Sequence, residues 1–118
     1  MNISIDPGSA IPPYEQVRLR IAELAADGHL PAGHKLPPVR ALAAELGLAA
    51  NTVARAYREL ESAGLVQTRG RLGTVVTARA AGTSAQAVQA ATAYADKVKA
   101  LGVPPETALA LVRAALQR

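Results

Sequence analysis

The apolar positions in the first half of the chain recur every three or four residues, which predicts three amphipathic helices. The first helix starts near Pro13 and ends at Asp27-Gly28, the second is short and ends at Gly47, and the third ends at Gly64. Their apolar positions are, in order, Tyr14, Val17, Ile21 and Leu24; Val39, Leu42, Ala43 and Leu46; and Val53, Ala56, Tyr57 and Leu60. Residues 1–12 show no period and are predicted to form an arm. The segment HLPAGHKLPP is too rich in proline and glycine for a regular element.

A β-hairpin is predicted directly after the third helix. Residues 65–69 and 73–77 are short β-favouring runs, and RGRLG, where the two runs meet, supplies turn residues. Two helices joined through a tight glycine-containing turn form a helix-turn-helix, and a hairpin after them makes the winged version. We therefore expect a mainly α fold with a small β-hairpin, in which residues 1–79 form a winged helix-turn-helix domain that binds DNA.

The remaining residues, 80–118, differ from residues 1–79 in composition and in the elements that they predict. AAGT at residues 80–83 has the composition of a hinge, an alanine-rich helix follows it as far as Gly102, and Pro104-Pro105 opens a last helix. Two such helices cannot enclose a core alone, so we expect a two-helix dimerisation segment at residues 80–118, with intramolecular packing on the first helix as the alternative. The residues expected at the dimer interface are Val88, Ala91, Tyr94, Val98, Leu101, Leu109, Val112 and Leu116.

Composition narrows the class of protein. The 118 residues are 50% hydrophobic and contain neither a run long enough to cross a membrane nor a signal-peptide pattern, so a cytoplasmic protein is expected. The absence of cysteine removes disulfides, cysteine-based zinc sites and thiol catalysis. Thirteen basic residues against nine acidic ones give a net charge of +4, a modest indication of a polyanionic partner.

The polar side of the third predicted helix carries Asn51, Arg55, Arg58 and Ser62. The major groove of DNA is about 12 Å wide and accepts one α-helix, where asparagine pairs with adenine and arginine with guanine. Thr52, close to the helix start, is better placed for a phosphate. The alternative is that two of these residues form solvated surface pairs, Arg55 with Glu59 and Arg58 with Glu61.

The predicted hairpin is basic. Residues 66–79 contain Arg69, Arg71 and Arg79 and no acidic residue, and Gly70 and Gly73 allow the tip to approach a surface closely. Such a tip suits contacts with the DNA backbone or the minor groove, with a solvated loop as the alternative.

Metal binding and catalysis are not expected. His29 and His34 lie in the loop after the first helix without other ligands at suitable spacing. No nucleophile with its base and no phosphate-cradling glycine loop is recognisable, so neither enzyme activity nor a cofactor is predicted.

The run LPPVRALAAELGLAANTVARAYRELESAGLVQTRGRLGTVV resembles the winged helix-turn-helix of the GntR family of bacterial transcriptional regulators. The resemblance covers about residues 11 to 78. NTVARAYRELE and the short two-helix tail are similar to the YtrA-like branch, the smallest of the family. With 38 residues after Ala80, we do not expect the ligand-binding or aminotransferase-like domains of larger branches.

The resemblance implies roles for particular residues. Arg40 matches a phosphate or base contact at the groove edge, Asn51, Thr52 and Arg55 match the recognition helix, and Arg69, Gly70 and Arg71 match the wing tip. Five positions depart from the family pattern, two of them being Ala50 and Ala54, where other branches often have polar or basic residues. Pro38 and Val39 replace a serine and an acidic residue, and Ala49 cannot cap the recognition helix through its side chain.

Together these observations predict a dimeric repressor of the YtrA-like type that binds double-stranded DNA at a pseudo-palindromic operator. It is expected on the nucleoid in the cytoplasm, without a membrane partner. The resemblance implies control of a transporter operon, while neither an effector nor an operator sequence is indicated by these residues. Two alternatives are a nucleoid-type protein without base specificity and a winged helix used as a protein-interaction module.

Overall fold

A computed structural model describes residues 1–82 and 85–118 of the chain. The chain separates into two compact units, residues 1–83 and residues 84–118. The described residues form five α-helices and two strands, which confirms the expected mainly α fold with a small hairpin. In chain order the elements are α1 (Pro13–Ala26), α2 (Val39–Leu46), α3 (Ala50–Ser62), β1 (Val66–Thr68), β2 (Thr74–Val76), α4 (Ala85–Ala100) and α5 (Pro105–Leu116).

Helix α3 buries the apolar stripe that its sequence predicts, and α1 buries its predicted stripe except Tyr14, which is half-buried. In α3, Val53, Ala56 and Leu60 are fully buried and Tyr57 nearly so. In α1 the buried residues are Val17, Ile21, Leu24 and Ala25. These stripes belong to one hydrophobic core, which leaves the opposite sides of both helices in solvent.

The turn between α2 and α3 depends on Gly47. This residue adopts φ 69° and ψ 31°, a left-handed conformation that glycine reaches without steric cost. The hydroxyl of Tyr57 donates a 2.7 Å hydrogen bond to the Pro37 carbonyl, which ties α3 to the segment that enters α2. Burial raises the pKa of Tyr57, so the hydroxyl keeps the proton that it donates. The helix-turn-helix is therefore fixed at both its turn and its entry.

The hairpin consists of β1 and β2, paired antiparallel with Val66 opposite Val76 and Thr68 opposite Thr74. A short 3-10 turn, Gly70–Leu72, forms the tip. A third segment lies along β2, because Lys35 bridges to Val75 and the Leu36 amide donates to the Thr74 carbonyl at 2.8 Å. The proline-rich loop before α2 is thus partly extended, which its composition did not indicate. Its prolines, at positions 31, 37 and 38, flank the paired residues and leave their amides available to donate.

The N-terminal arm is docked on α1 rather than free. Ile3 is buried in the core, and Ile5 packs against it. The side chain of Gln16 accepts from the Asp6 amide at 2.8 Å and donates to the Asp6 and Ile11 carbonyls at 3.0 and 2.8 Å. The arm is thus held by backbone hydrogen bonds to one helix side chain and by the burial of Ile3, neither of which needs a helical period.

Within the second unit, α4 and α5 form a hairpin whose turn contains Gly102 at φ 74°. The Tyr94 hydroxyl donates to the Ala108 carbonyl at 2.7 Å, joining the two helices. Val98 and Ala108 are buried. In the described part of the chain, no helix is both long and apolar enough to cross a membrane.

Candidate DNA-binding surface

The start of α3 is open to solvent. Ala49 is the N-cap residue and makes no side-chain capping hydrogen bond, as its methyl group requires. Asn51 is exposed and Thr52 is half-buried. The predicted recognition helix therefore presents Asn51 at its first turn, next to a helix end whose amides lack a capping side chain.

Arg55 lies one turn further along α3 and has two partners. Its guanidinium carbon sits 3.7 Å from the centroid of the Tyr14 ring on α1. Its Nε atom donates to Glu59 Oε2 at 3.3 Å, and the Arg55 side chain remains 56% exposed. The surface pair that was the alternative for Arg55 is thus present, together with a cation–π contact that sequence spacing did not reveal.

Arg58 lies three residues after Arg55 on α3. Together with Tyr57 and Glu61 it lines a shallow groove of about 200 Å³ that β1 and β2 close through Thr68 and Thr74. Among the residues that the structure describes, no ion pair joins Arg58 to Glu61. Glu61 instead accepts hydrogen bonds from Thr68, which leaves the exposed Arg58 available to a ligand.

The remaining predicted DNA contacts are also exposed. Arg40 lies in the first turn of α2. Arg69, Gly70 and Arg71 form the hairpin tip, where Gly70 adopts φ 51° and Arg69 donates to the Gln67 side chain at 3.2 Å. The tip therefore carries two arginines on a tight turn.

The second unit presents a groove between α4 and α5 with a volume of about 610 Å³. Its lining is mostly apolar and includes five of the residues predicted for dimerisation: Ala91, Tyr94, Val98, Leu109 and Val112. Of the other three, Val88 is half-buried, whereas Leu101 and Leu116 are exposed and lie outside the groove. Leu109 is 60% and Leu116 82% exposed, so this small unit leaves large apolar side chains in water.

Residues 13–76 match the model of the family described as bacterial regulatory proteins, gntR family. The chain belongs to the GntR family. The matched region runs from the first residue of α1 to the last residue of β2 and so covers the whole helix-turn-helix and its wing. It agrees with the resemblance seen in the sequence.

Two relatives extend this similarity. The chain is 45% identical over 107 residues to the HTH-type transcriptional regulator Rv1152 of Mycobacterium tuberculosis, covering 91% of this chain and 88% of the relative. It is 46% identical over 79 residues to the HTH-type transcriptional repressor YtrA of Bacillus subtilis, covering 66% of this chain and 60% of that repressor. The resemblance to YtrA is thereby confirmed. Because the family and these relatives are transcription regulators, the expectation that the chain is not an enzyme is confirmed too.

Two solved structures share the fold. YtrA from Sulfolobus acidocaldarius, a GntR-family transcription factor, superposes with a TM-score of 0.61 at 40% identity, over 64% of this chain and 79% of that one. The DNA-binding domain of AraR in complex with operator ORE1 superposes with a TM-score of 0.55 at 25% identity, over 65% and 94% of the two chains. The GntR chain described here is a DNA-binding transcription regulator with a winged helix-turn-helix.

Lys35 is a candidate DNA contact that the sequence pattern did not indicate. Its bridge to Val75 puts it on the extended segment that lies along β2, and a Cβ atom added to Gly73 would lie only 3.1 Å from Lys35 Cε. The exposed Lys35 therefore lies against the hairpin near its basic tip. Lys35 could have been found only by predicting that the HKL segment is extended and pairs with a strand forty residues away.

The two histidines do not form a pair. His29 Nδ1 lies 2.6 Å from Asp27 Oδ1, and this hydrogen bond lowers the pKa of Asp27. Within residues 1–82 and 85–118, no group of three or more histidine, aspartate and glutamate side chains is arranged to hold a metal ion.

Proposed function

We propose that this GntR-family regulator is a homodimeric repressor that binds a pseudo-palindromic operator. The observation that carries the proposal is the exposed polar start of α3 together with the hairpin that follows this helix, whose tip has two arginines and no acidic residue. An α-helix of this kind fits the major groove, and a basic tip follows the adjacent backbone or minor groove.

We assign base contacts to Asn51 and Arg55 and a further contact to Arg58. Asn51 and Arg55 lie within the first two turns of α3, the end of a recognition helix that usually reaches base edges. Arg40 and Thr52 are assigned to phosphates. The contact of the wing with the DNA backbone or minor groove is assigned to Arg69, Gly70 and Arg71. Lys35 is a fourth residue assigned to this contact. These contacts fix register on the duplex but carry little sequence information.

The dimer is assigned to the groove between α4 and α5. A two-helix unit in which Val98 and Ala108 are buried, while Leu109 and Leu116 stay exposed, has too little core to satisfy its apolar surface. A second copy offers an identical surface, and isologous pairing of the two would cover both. Two hairpins would then form a four-helix arrangement.

The experiment that tests the proposal is footprinting on the DNA upstream of the chain's own gene, in competition with random duplex. We expect one protected region with two half-sites about 10 base pairs apart or a multiple of that spacing. Inserting five base pairs between the half-sites should lower affinity strongly, because the second half-site then lies on the opposite face. Unchanged affinity for the altered DNA would contradict the symmetric dimer.

The same experiment separates the alternatives. A nucleoid-type protein would protect no particular site and would bind all duplexes similarly. A protein-interaction module would bind DNA weakly even at low salt. The resemblance to the YtrA-like branch extends the proposal to a transporter operon as the regulated target, acting on the nucleoid in the cytoplasm. Transcript levels in cells with and without the gene test that extension.

A further inference from the structure

Tyr14 on α1 and Arg55 on α3 lie in direct contact across the interface between the two helices. A distance of 3.7 Å from the guanidinium carbon to the ring centroid is a van der Waals contact, which requires the guanidinium to lie over the ring face. Tyr14 is half-buried and follows Pro13 at the first turn of α1. The ring is therefore anchored on a different helix from the arginine that it contacts.

The contact with the Tyr14 ring leaves the hydrogen-bond donors of Arg55 unblocked. Guanidinium donors point outward in the plane of the group, so a contact through its face blocks none of them. Nε donates to Glu59 at 3.3 Å. In the described residues the structure gives no hydrogen-bond partner to the two terminal nitrogens. These two nitrogens form the fork that matches the O6 and N7 acceptors of guanine.

Neighbouring charges limit how strongly Glu59 can hold Arg55. Arg18, one turn after Tyr14 on α1, hydrogen-bonds Glu15, and this bond raises the pKa of Arg18, with the negative charge of Glu59 adding to the effect. Glu59 therefore acts on two arginines at once. Because exposed ion pairs are weak and Glu59 also acts on Arg18, the face-on contact with the Tyr14 ring is the main restraint on the Arg55 guanidinium.

We propose that Tyr14 is a positioning residue for base recognition, a platform that holds the Arg55 guanidinium with its terminal nitrogens directed outward. This inference rests on the proposed role of Arg55 as a base reader. The inference adds that one residue of α1, outside the helix-turn-helix itself, sets how strongly Arg55 prefers one base over the others. A long arginine side chain loses rotamer freedom when it binds, and a preformed stack lowers that loss.

The test is a double-mutant cycle in the full-length protein, measured on the footprinted operator. Tyr14→Leu keeps apolar bulk and removes the aromatic face, whereas Tyr14→Phe keeps the face and removes the hydroxyl. We expect Tyr14→Leu to weaken binding about 3- to 10-fold, the size of the rotamer freedom that a long side chain loses when binding immobilises it. It should relax preference at the same base pair as Arg55→Ala. Tyr14→Phe should bind like the unmodified protein, and Tyr14→Leu should cost nothing more once Arg55→Ala is present.

Three results would overturn the platform while leaving Arg55 as the base reader. Equal losses from Tyr14→Leu with and without Arg55 would show that the ring acts independently of that arginine. A loss with Tyr14→Phe would show that the hydroxyl makes its own contact. Wild-type binding by Tyr14→Leu would show that no platform is needed. If Arg55→Ala itself leaves base preference unchanged, Arg55 does not read a base and Tyr14 has nothing to position. That outcome differs from one in which Arg55 reads a base but Tyr14 acts independently of it. Thermal unfolding of each variant confirms that folded proteins are compared.

Discussion

Glu61 and Thr68 join the last turn of α3 to the first strand of the wing. One carboxylate oxygen, Oε2 of Glu61, accepts a hydrogen bond from the Thr68 amide at 3.1 Å and another from its hydroxyl at 2.8 Å. Both donors come from one residue, so the pair fixes the direction of β1 relative to the helix. The angle between the recognition helix and the wing therefore depends on a polar contact as well as on the core.

Replacing Glu61 should loosen the wing without unfolding the domain. We expect Glu61→Ala to lower DNA affinity by a similar factor on operator and random duplex, because the wing contacts backbone and not bases. The loss in stability should be about 0.5 to 1.5 kcal/mol. Glu61→Gln, whose amide oxygen still accepts from Thr68, is the matched control. Titrations on both DNAs check this, and unchanged affinity in Glu61→Ala would show that wing direction is set by the core alone.

Lys35 should behave as a phosphate contact. We expect Lys35→Ala to weaken binding equally on all sequences and to reduce the slope of log affinity against log salt by about one. Lys97→Ala removes the same charge from the exposed side of α4 and serves as control. Salt titrations of the unmodified protein, Lys35→Ala and Lys97→Ala measure these slopes. Equal slopes in Lys35→Ala and Lys97→Ala would assign the effect to net charge alone.

Ala49 offers a direct test of the helix start. Its backbone, at φ −69° and ψ 145°, already has the extended conformation of an N-cap, but its side chain accepts no hydrogen bond. We expect Ala49→Ser to raise the free energy of unfolding by about 1 kcal/mol, because the hydroxyl can accept from an amide in the first turn. Ala50→Ser, one position inside the helix, should bring no such gain. Denaturant unfolding of both variants provides the comparison, and equal effects would contradict capping at position 49.

The sequence predicted those features that depend on neighbours in the chain. The stripe Val53, Ala56, Tyr57 and Leu60 followed from helical spacing, and all four are buried. The hairpin followed from two β-favouring runs with glycine between them. What escaped prediction depends on residues far apart in the sequence. Lys35 reaches the wing only through strand pairing with Val75, and Ile3 enters the core without any repeat to mark it.

In the candidate site too, features that depend on neighbouring residues could be predicted, whereas contacts between distant residues could not. Exposure of Asn51, Arg58 and Arg71 could be anticipated from their polar face or loop. The contact of Arg55 with Tyr14 could not, because 41 positions separate the two residues and only the packing of α1 on α3 brings them together. The Glu59 partner was foreseeable at a spacing of four residues, which is the common distance for helix side-chain pairs.

The second unit permits a matched test of the proposed dimer. Leu109 and Leu111 both lie on α5 and are 60% and 53% exposed, yet only Leu109 lines the groove between α4 and α5. A lysine in place of Leu109 puts a charge where the second copy would bury an apolar surface, whereas a lysine in place of Leu111 leaves the groove unchanged. We therefore expect Leu109→Lys to be monomeric at micromolar concentration in sedimentation experiments and Leu111→Lys to remain dimeric.

Loss of the dimer should appear in DNA binding. A monomeric Leu109→Lys keeps every contact assigned to α3 and the wing, but its second half-site is no longer bound by a tethered partner. Losing that effective concentration costs about 10²- to 10⁴-fold in apparent affinity. Fusing an unrelated dimerising helix to the C-terminus of Leu109→Lys should restore most of the affinity, since the tail is expected to supply proximity and no DNA contact. If Leu109→Lys and Leu111→Lys are both dimeric and bind the operator equally, the groove is not the interface.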